Sequence, residues 1–216
     1  MSTKDRILDS AEKIFARKGF DATSLRDITS DAGVNLAAVN YHFQSKESLI
    51  TAVLARRLDE VNARRLEMLE DCIQRAGSAT PRLEALLEAF YRPPLEAGFG
   101  ENRELAVSIT RLLGRVYGEP ERWIEDIYEQ HLEPVAERFV AALRRSLPGL
   151  PDQEFFWRLH FGIGAMAHTM IHLHTLDRLS GGRCNTNDFR LVLRQMVAFV
   201  AAGFRAAMVG KGVNLS

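Results

Sequence analysis

The residue types best suited to chemistry in this chain lie in one short segment, residues 33–43. If this segment is helical, four of its side chains recur at i, i+1, i+4 and i+5 and therefore share a face: Leu36, Ala37, Asn40 and Tyr41. An asparagine amide can bond N6 and N7 of adenine, and leucine or alanine can contact a thymine methyl group. Because a small unit does not need this face for its core, the exposed apolar and aromatic groups favour a binding partner. Their chemistry fits the major groove of DNA.

Groups that can hold phosphates flank this face. Tyr41 and His42 can donate hydrogen bonds, while Arg26 precedes the segment and Lys46 follows it. A helix that begins at Lys46 also offers free N–H groups, which favour an anion. Such contacts set the position of a protein on a duplex without reading its sequence. Two alternatives remain open: the face binds a protein partner, as in a helical adaptor, or it is solvated surface.

A helix-turn-helix over residues 24–43 would position these side chains. Ser24 is a suitable N-cap, which predicts a helix that ends near Ala32. Gly33 then supplies a tight turn, and Asn35 caps a second short helix. An earlier helix, with one apolar stripe, is expected to stop at Gly19. The stripe consists of Ile7, Leu8, Ala11, Ile14 and Phe15.

The whole chain is predicted to be all-α, with about nine helices, because apolar residues recur at helical spacing throughout. The segment GSATP at residues 77–81 is the clearest boundary. We therefore expect a three-helix helix-turn-helix domain at 1–46 and a connecting helix at 47–76. Residues 77–210 should form a C-terminal helical bundle that binds a ligand and dimerises.

Prolines divide the C-terminal bundle. Thr80 and Pro81 resemble an N-cap and N1 pair that opens its first helix. The pair at residues 93–94 should end or kink that helix, and Pro134 should bend a later one. The other predicted helices cover about 102–117, a stretch that ends near 147, then 152–178 and 187–208.

Composition limits the possible functions. The chain has 216 residues, of which 46% are hydrophobic and 26% charged, as in ordinary globular proteins. No apolar run reaches the ~18 residues that cross a bilayer, and the start lacks a signal-peptide core, so we expect a cytoplasmic protein without a membrane partner. The net charge is +0, so affinity for DNA must come from a local basic face. Phosphate-loop, nucleophile-elbow and dinucleotide motifs are absent from the sequence, which argues against an enzyme.

Residues 7–50 resemble the N-terminal domain of the tetracycline-repressor (TetR) family. The pattern A-x-x-x-F-x-x-x-G-F closes the first helix, T-S-L-x-x-I enters the second, A-G-V precedes the third, and Y-H-F-x-S-K-E-x-L follows. The resemblance implies an all-helical homodimer that releases a DNA operator when a small molecule enters the C-terminal domain. It also implies DNA contacts from Leu36, Ala37, Asn40, Tyr41, His42 and Lys46.

An effector site must come from the C-terminal bundle. Residues 83–117 are rich in apolar side chains at helical spacing, and some of them could line a cavity between helices. An arginine at its mouth could hold a carboxylate or phosphate. The alternative interpretation of each apolar residue is plain core. The candidates for a small hydrophobic effector are Phe90, Phe99, Ile109, Leu113, Arg103 and Arg111.

The C-terminal region also resembles a TetR subgroup of fatty-acid-responsive repressors of β-oxidation genes. The shared features are R-L-L-G at residues 111–114 and P-x-L-P-x-x-E-x-F-W-R-x-H-F, which enters the predicted helix at 152–178. The recognition segment N-L-A-A-V-N-Y-H-F is similar as well. This resemblance implies a long-chain fatty acid or acyl-CoA as the effector.

The last two predicted helices are the candidates for a dimer interface. The final one is apolar almost all round, which is typical of a helix buried on more than one face. Two copies of the pair would form a four-helix bundle across a two-fold axis. The operator should then be palindromic, with half-sites ~34–36 Å apart or a multiple of that. The expected interface residues are Gly162, Met166, His168, Val192, Met196, Phe199 and Val200.

A histidine pair in the same region raises the question of a metal. His168 and His172 are four residues apart, a spacing that can hold an ion on one helix face. No glutamate follows the first histidine, and the two cysteines, Cys72 and Cys184, lack metal-site spacing. We therefore expect no metal and no cofactor, and we interpret the histidines as packed or hydrogen-bonded groups of the interface.

Overall fold

The computed structural model describes residues 1–20, 22–99, 110 and 127–208, and the regular elements in this part of the chain are helical. The predicted all-α fold is confirmed. The helix predicted at 102–117 lies outside the described residues. None of the described helices has the length and hydropathy needed to cross a membrane. The helices are α1 (Thr3–Lys18), α2 (Leu25–Ala32), α3 (Leu36–Phe43), α4 (Lys46–Ala76), α5 (Leu83–Glu96), α6 (Glu133–Ser146), α7 (Asp152–Ser180) and α8 (Phe189–Arg205).

The first three helices form the small unit that the sequence predicts. α1 ends at Gly19, whose φ of 83° suits glycine, and the Gly19 N–H donates to the Phe15 carbonyl at 2.8 Å. The Phe20 ring then returns onto Phe15 in an edge-to-face contact, with centroids 5.2 Å apart. α2 and α3 pack against α1 through a shared apolar core.

α4 joins this unit to the C-terminal body. It is 31 residues long, so it extends about 46 Å at 1.5 Å per residue. It contacts α1 and α3 on one side, and α5, α6 and a π-helical turn at Tyr128–Leu132 on the other. Any change in the body can therefore reach the N-terminal unit through a single helix.

α5 lies at the centre of the body, between α4 and α8. Its Tyr91 is fully buried, and burial raises the pKa of the Tyr91 hydroxyl well above its usual range. The Tyr91 oxygen would lie only 2.7 Å from a Cβ at Gly162, so α7 can pass α5 at this point only without a side chain. Gly162 is thus explained by packing within one protomer.

Thr80 and Pro81 do not open α5 as the sequence predicts, and Pro93 and Pro94 do not end it, while the kink expected there stays a prediction. α5 begins at Leu83, so Thr80 and Pro81 are not its N-cap and N1; Pro81 is buried and its carbonyl accepts from Ser146 Oγ at 2.6 Å. This anchoring to α6 delays the start of the helix. At the other end α5 continues through Pro93 and Pro94 to Glu96.

A buried arginine explains how α5 tolerates its prolines. Pro94 has no N–H, so the Phe90 carbonyl four residues earlier loses its helical donor. Arg65 of α4 supplies one instead, because its Nε donates to the Phe90 oxygen at 2.9 Å. The Arg65 guanidinium also lies 4.2 Å from the Phe90 ring centroid and donates to Asn62 Oδ1 at 3.2 Å. This contact fastens α5 to α4 in the middle of the body.

The irregularity expected at Pro134 is a change of helix type rather than a simple bend. The π-helical turn at Tyr128–Leu132 ends where α6 begins, and Pro134 lies in the first turn of α6. Because the π-helical turn runs directly into α6, Pro134 lies inside a continuous helical segment, where it cannot donate a backbone hydrogen bond to the preceding turn. Asn62 Nδ2 of α4 donates to the His131 carbonyl in this turn at 2.6 Å.

An ion cluster joins α1 to α4. Glu12 is nearly buried and accepts from Arg56 Nη2 at 2.7 Å and also from the Arg57 guanidinium. Arg56 also bonds Asp9 at 2.7 Å. A buried charge is stable only when it is paired and hydrogen-bonded, so this cluster has one favourable arrangement. It fixes the orientation of the N-terminal unit relative to α4.

Replacing Glu12 by glutamine should destabilise the protein by about 3 kcal/mol, because two partly buried guanidinium groups lose their shared negative charge. Glu60→Gln is the matched control, since Glu60 pairs with the same Arg57 but is exposed. The control should cost less than about 1 kcal/mol. Urea unfolding of the three proteins gives both values. Equal losses in the two variants would show that Glu12 is not a special contact.

Candidate DNA interface

The exposed face of α3 has the composition that the sequence predicts. Leu36, Ala37, Asn40 and Tyr41 are all exposed, and 83% of Tyr41 is accessible. Val39 and Phe43, on the opposite side of α3, are buried in the core of the N-terminal unit. The helix therefore presents one amide, two apolar groups and one phenol outward from a fixed base.

Side-chain caps hold α2 and α3 in place. Ser24 Oγ accepts from the Asp27 N–H at 3.2 Å, and Asp27 Oδ2 accepts from the Ser24 N–H at 3.0 Å. These backbone and hydroxyl bonds to Ser24, with a further bond from Lys18, lower the pKa of Asp27 to about 2. Asn35 Oδ1 accepts from the Ala38 N–H at 2.9 Å, so the predicted N-caps of both helices are confirmed.

The turn between α2 and α3 is held by a residue that sequence reasoning missed. Gly33 has a φ of 62°. Arg6 Nη2 of α1 donates to the carbonyl oxygens of Ala32 at 2.5 Å and Gly33 at 2.9 Å. These oxygens end α2 and have no helical donor, so the cation satisfies them and suits the negative end of the helix. Arg6 thereby fixes the angle between α2 and α3.

The exit from α3 is a tight turn centred on Gln44. This residue has φ 62° and ψ −42°, and the Ser45 N–H donates to the Phe43 carbonyl at 2.6 Å. A three-residue turn closed by a bond between its first and third residues is a γ-turn. Its positive-φ form is strained for any residue with a Cβ. A sequence signal existed, since only two residues separate α3 from α4. The turn directs the chain into α4, whose N-cap Ser45 accepts from the Ser48 N–H at 3.1 Å.

The side chains predicted to bind DNA phosphates lie around this face. Arg26 is exposed in the first turn of α2, and Lys46 is the first residue of α4. Tyr41 and His42 rings make an edge-to-face contact, with centroids 5.0 Å apart. All seven predicted DNA-contact residues belong to α2, α3 or the start of α4. Their assignment as DNA contacts stays a prediction.

A second exposed surface lies on α7 and α8, and we call it the α7–α8 face. Its large apolar side chains include Trp157, Phe161 and Phe199, of which 56%, 63% and 69% are accessible. The Trp157 and Phe161 rings stack, with centroids 5.7 Å apart. Aromatic groups exposed in this number mark a contact surface.

The predicted dimer residues divide into two groups. His168 and Phe199 are exposed and Val192 is half-buried, so these three can contact a partner. The other four are buried within the protomer, where they already fill its core, and assigning them to the surface of an interface was wrong. They are Gly162, Met166, Met196 and Val200.

Two families of known proteins match parts of this chain. The family described as "Bacterial regulatory proteins, tetR family" matches residues 7–53. The family described as "Tetracyclin repressor-like, C-terminal domain" matches residues 88–203, more than half of the chain. This chain belongs to the TetR family. The predicted family resemblance of the N-terminal region is confirmed.

Two curated HTH-type regulators match part of this chain. The HTH-type transcriptional repressor KstR2 of Rhodococcus jostii (strain RHA1) is 32% identical over 88 residues, which are 41% of this chain and 41% of that protein. The biofilm operon icaADBC HTH-type negative transcriptional regulator IcaR of Staphylococcus aureus (strain Newman) is 44% identical over 46 residues, 21% of this chain and 25% of that protein. The matches thus span less than half the length of these relatives.

Solved structures share the fold along nearly the whole chain. The fatty acid degradation regulator FadR from Bacillus halodurans has a TM-score of 0.62 at 13% identity and covers 92% of this chain and 98% of that chain. A tetR family transcription regulator from Shewanella sp. PV-4 has a TM-score of 0.60 at 19% identity, with 94% and 96% covered. At these identities the similarity establishes the TetR fold alone.

The candidate effector residues of this TetR-family protein are only partly described. Phe90 is buried and packs on Phe139, with ring centroids 5.1 Å apart, and Phe99 contacts Phe189 at 5.4 Å. The structure therefore places these two aromatic residues in different contacts. Four candidates lie outside the described residues: Ile109, Leu113, Arg103 and Arg111. The effector site as a whole stays a prediction.

Gln44→Gly should be more stable than Gln44→Ala by about 1–3 kcal/mol, because glycine has no Cβ to strain the positive-φ turn. Both variants lose the glutamine side chain, so their difference isolates the backbone. Thermal or urea unfolding of the pair measures it. If alanine equals glycine at this position, the turn does not store strain.

Proposed function

We propose that this protein is a homodimeric, DNA-binding transcriptional repressor that leaves a palindromic operator when a small hydrophobic effector binds its C-terminal body. The observation that carries the proposal is the exposed face of α3, held at both ends by caps and turns. A surface with an amide, two aliphatic groups and a phenol has no role in the protomer core. Family membership and the named repressors among its relatives support the same function.

Each group on α3 has a distinct part in the proposed complex. Asn40 reads an adenine through its amide, and Leu36 and Ala37 contact thymine methyl groups in the major groove. Tyr41 and His42 donate to phosphates on either side. These contacts combine sequence reading with positioning on a short, rigid helix.

Cations and helix ends position the protein on the backbone. Arg26 and Lys46 bracket α3, and the positive end of the α4 dipole favours an anion at the same place. Because the net charge is +0, the overall field does not draw the protein to DNA. Affinity must therefore come from these local groups and from two copies of the domain acting on one operator.

A second copy of the chain is the proposed occupant of the α7–α8 face. Gly164 and Gly203 lie on exposed parts of α7 and α8, and a Cβ at either would have nothing within 4 Å. Helices from another protomer can therefore approach closely there, while Trp157, Phe161 and Phe199 supply apolar area. Pairing equivalent faces across a two-fold axis gives a closed dimer.

α4 is the proposed route from effector to DNA. His131 in the π-helical turn bonds Asp59 at 2.7 Å, and its carbonyl accepts from Asn62. One turn earlier on α4, Arg56 and Arg57 hold α1 through Glu12. A shift of the π-helical turn on effector binding would thus move α4 and change the separation of the two recognition helices.

The effector class that we propose is a long-chain fatty acid or acyl-CoA. Support comes from the resemblance of the C-terminal region to fatty-acid-responsive repressors, and from a fold neighbour described as a fatty acid degradation regulator. An elongated apolar ligand also suits a site formed between helices of a bundle. A polar, non-acyl effector recovered from purified protein would contradict this part of the proposal.

The decisive experiment is selection of bound sites from random double-stranded DNA, with and without lipids extracted from cells. We expect one palindromic site whose half-sites lie ~34–36 Å apart or a multiple of that. Lipid should release it. If affinity for the selected DNA does not fall with rising salt, phosphate contacts are absent and the function fails. If the face of α3 instead holds a protein partner through Leu36 and Tyr41, binding of that partner should depend little on salt.

Asn40→Ala should cost ~1–3 kcal/mol on the selected operator and relax base preference at one position in each half-site. Lys46→Ala should weaken all DNA sequences alike and reduce the salt slope. Fluorescence anisotropy on the operator and on single-base variants measures both effects. Equal binding of the operator by Asn40→Ala and the unchanged protein would show that Asn40 is not the reading residue.

Phe199→Glu should convert the dimer to monomers, since two carboxylates would face each other across the axis in an apolar contact. A cost of at least about 2 kcal/mol, typical of an interface hot spot, raises the dimer dissociation constant about thirtyfold. Ala198→Glu is the control, because Ala198 is exposed but lies about 100° further round α8. Sedimentation equilibrium distinguishes the two, and a dimer that survives Phe199→Glu would place the interface elsewhere.

A further inference from the structure

Two histidines on α7 form a preorganised pair. The rings of His168 and His172 have centroids 4.8 Å apart, and both side chains are exposed. They line a groove of about 680 Å³ between α7 and α8, whose walls include Leu173, Met196 and Phe199. Two imidazoles at i and i+4 on one helix can direct ring nitrogens at a single ion.

One protomer cannot complete a metal site here. Within its described residues, no group of three histidine, cysteine or acidic side chains is arranged to hold an ion. A structural zinc site takes four ligands in a tetrahedron, with Zn–N distances of about 2.0 Å. The His168–His172 pair therefore lacks two ligands. Cys184 and Arg183 also line the groove, but they do not complete the set.

The position of the pair on α7 suggests where the missing ligands come from. α7 covers Asp152–Ser180, so His168 lies close to its middle. If two copies of α7 cross at a two-fold axis, residues near the midpoint meet their own equivalents. Gly164, one turn before His168, has open space where a Cβ would be, so the helices can cross closely there. The pair then faces its copy across the axis.

Although the sequence of one chain predicts no metal, we propose that His168 and His172 of two protomers form one shared tetrahedral site for a divalent transition metal, with Zn²⁺ as the best fit. This rests on the proposed homodimer. Four neutral imidazoles are a ligand set that zinc accepts, and the two-fold axis supplies the second pair without any further residue. The ion ties the protomers together, so dimerisation and hence operator binding depend on the metal.

The test uses the full-length protein, stripped of metal by a chelator. Calorimetric titration with Zn²⁺ should give one ion per two protomers. Co²⁺ in its place should show the intense visible absorption of a tetrahedral site. At free Zn²⁺ about 100 times its dissociation constant, the dimer dissociation constant should fall about a hundredfold. Sedimentation equilibrium with and without Zn²⁺ measures this shift.

Variants identify the ligands. His168→Asn and His172→Asn should each abolish the tetrahedral Co²⁺ spectrum and the effect of Zn²⁺ on dimerisation. His160→Asn is the matched control, because His160 is an exposed histidine on the same helix but lies about 12 Å along its axis from His168. The control should keep one Zn²⁺ per dimer. Loss of Zn²⁺ binding in His160→Asn as well would contradict the assigned ligands.

The possible failures are distinct. A stable metal-free dimer that binds its operator and takes up no Zn²⁺ would overturn the metal site and leave the proposed function intact. A protein that stays monomeric in both conditions would overturn the homodimer and the shared site together. One Zn²⁺ per protomer, lost in Cys184→Ser, would show a site within a single chain and overturn the two-fold arrangement.

Discussion

The nearly buried carboxylate of Glu12 determines how the N-terminal unit is oriented. It accepts from two consecutive arginines of α4, Arg56 and Arg57. The other ion-pair partners of these arginines, Asp9 and Glu60, are exposed. Surface ion pairs contribute little because water screens them, whereas a buried charge must keep its partners. α1 therefore moves with α4, and α3, which packs on α1, moves with both.

The same short stretch of α4 contacts the C-terminal body. Asn62 lies less than two turns after Arg57 and bonds both the π-helical turn and Arg65. Arg65 in turn replaces the N–H that Pro94 cannot donate to α5. Single π-helical turns within α-helices are frequent at functional sites. Residues 56–65 thus connect the π-helical turn of the body with the N-terminal unit.

Local signals made the N-terminal unit predictable from sequence. Ser24, Asn35 and Gly19 act within four residues of their partners, so their caps and turns can be read from the chain. Arg6 could not be assigned, because the carbonyls that it bonds lie 26 and 27 residues away. The strain at Gln44 likewise depends on the angle between α3 and α4, which tertiary packing sets.

In the C-terminal body, helical periodicity predicts which side chains are buried. It does not predict whether a side chain is buried within its own protomer or against a partner. Met166 and Met196 have the spacing of interface residues, yet they face their own protomer. Arg65 falls on the same stripe of α4 as Leu58 and Leu69, and that position was the available signal that this arginine is buried. Its charge taken alone predicts an exposed residue, and the missing N–H of Pro94 supplies the acceptor that explains why Arg65 lies inside.

In the proposed dimer, balanced charge would make the spacing of the two recognition helices more important than the affinity of either one. With 28 basic and 28 acidic residues, the chain as a whole has no general attraction for DNA. Under the proposed function, binding would depend on both copies of α3 fitting grooves one helical turn apart. Because effective concentration falls sharply when geometry forbids double engagement, a small rotation of α4 would then release the operator. The caps around α3 would be required for this, since a flexible recognition helix would follow its groove and absorb the rotation.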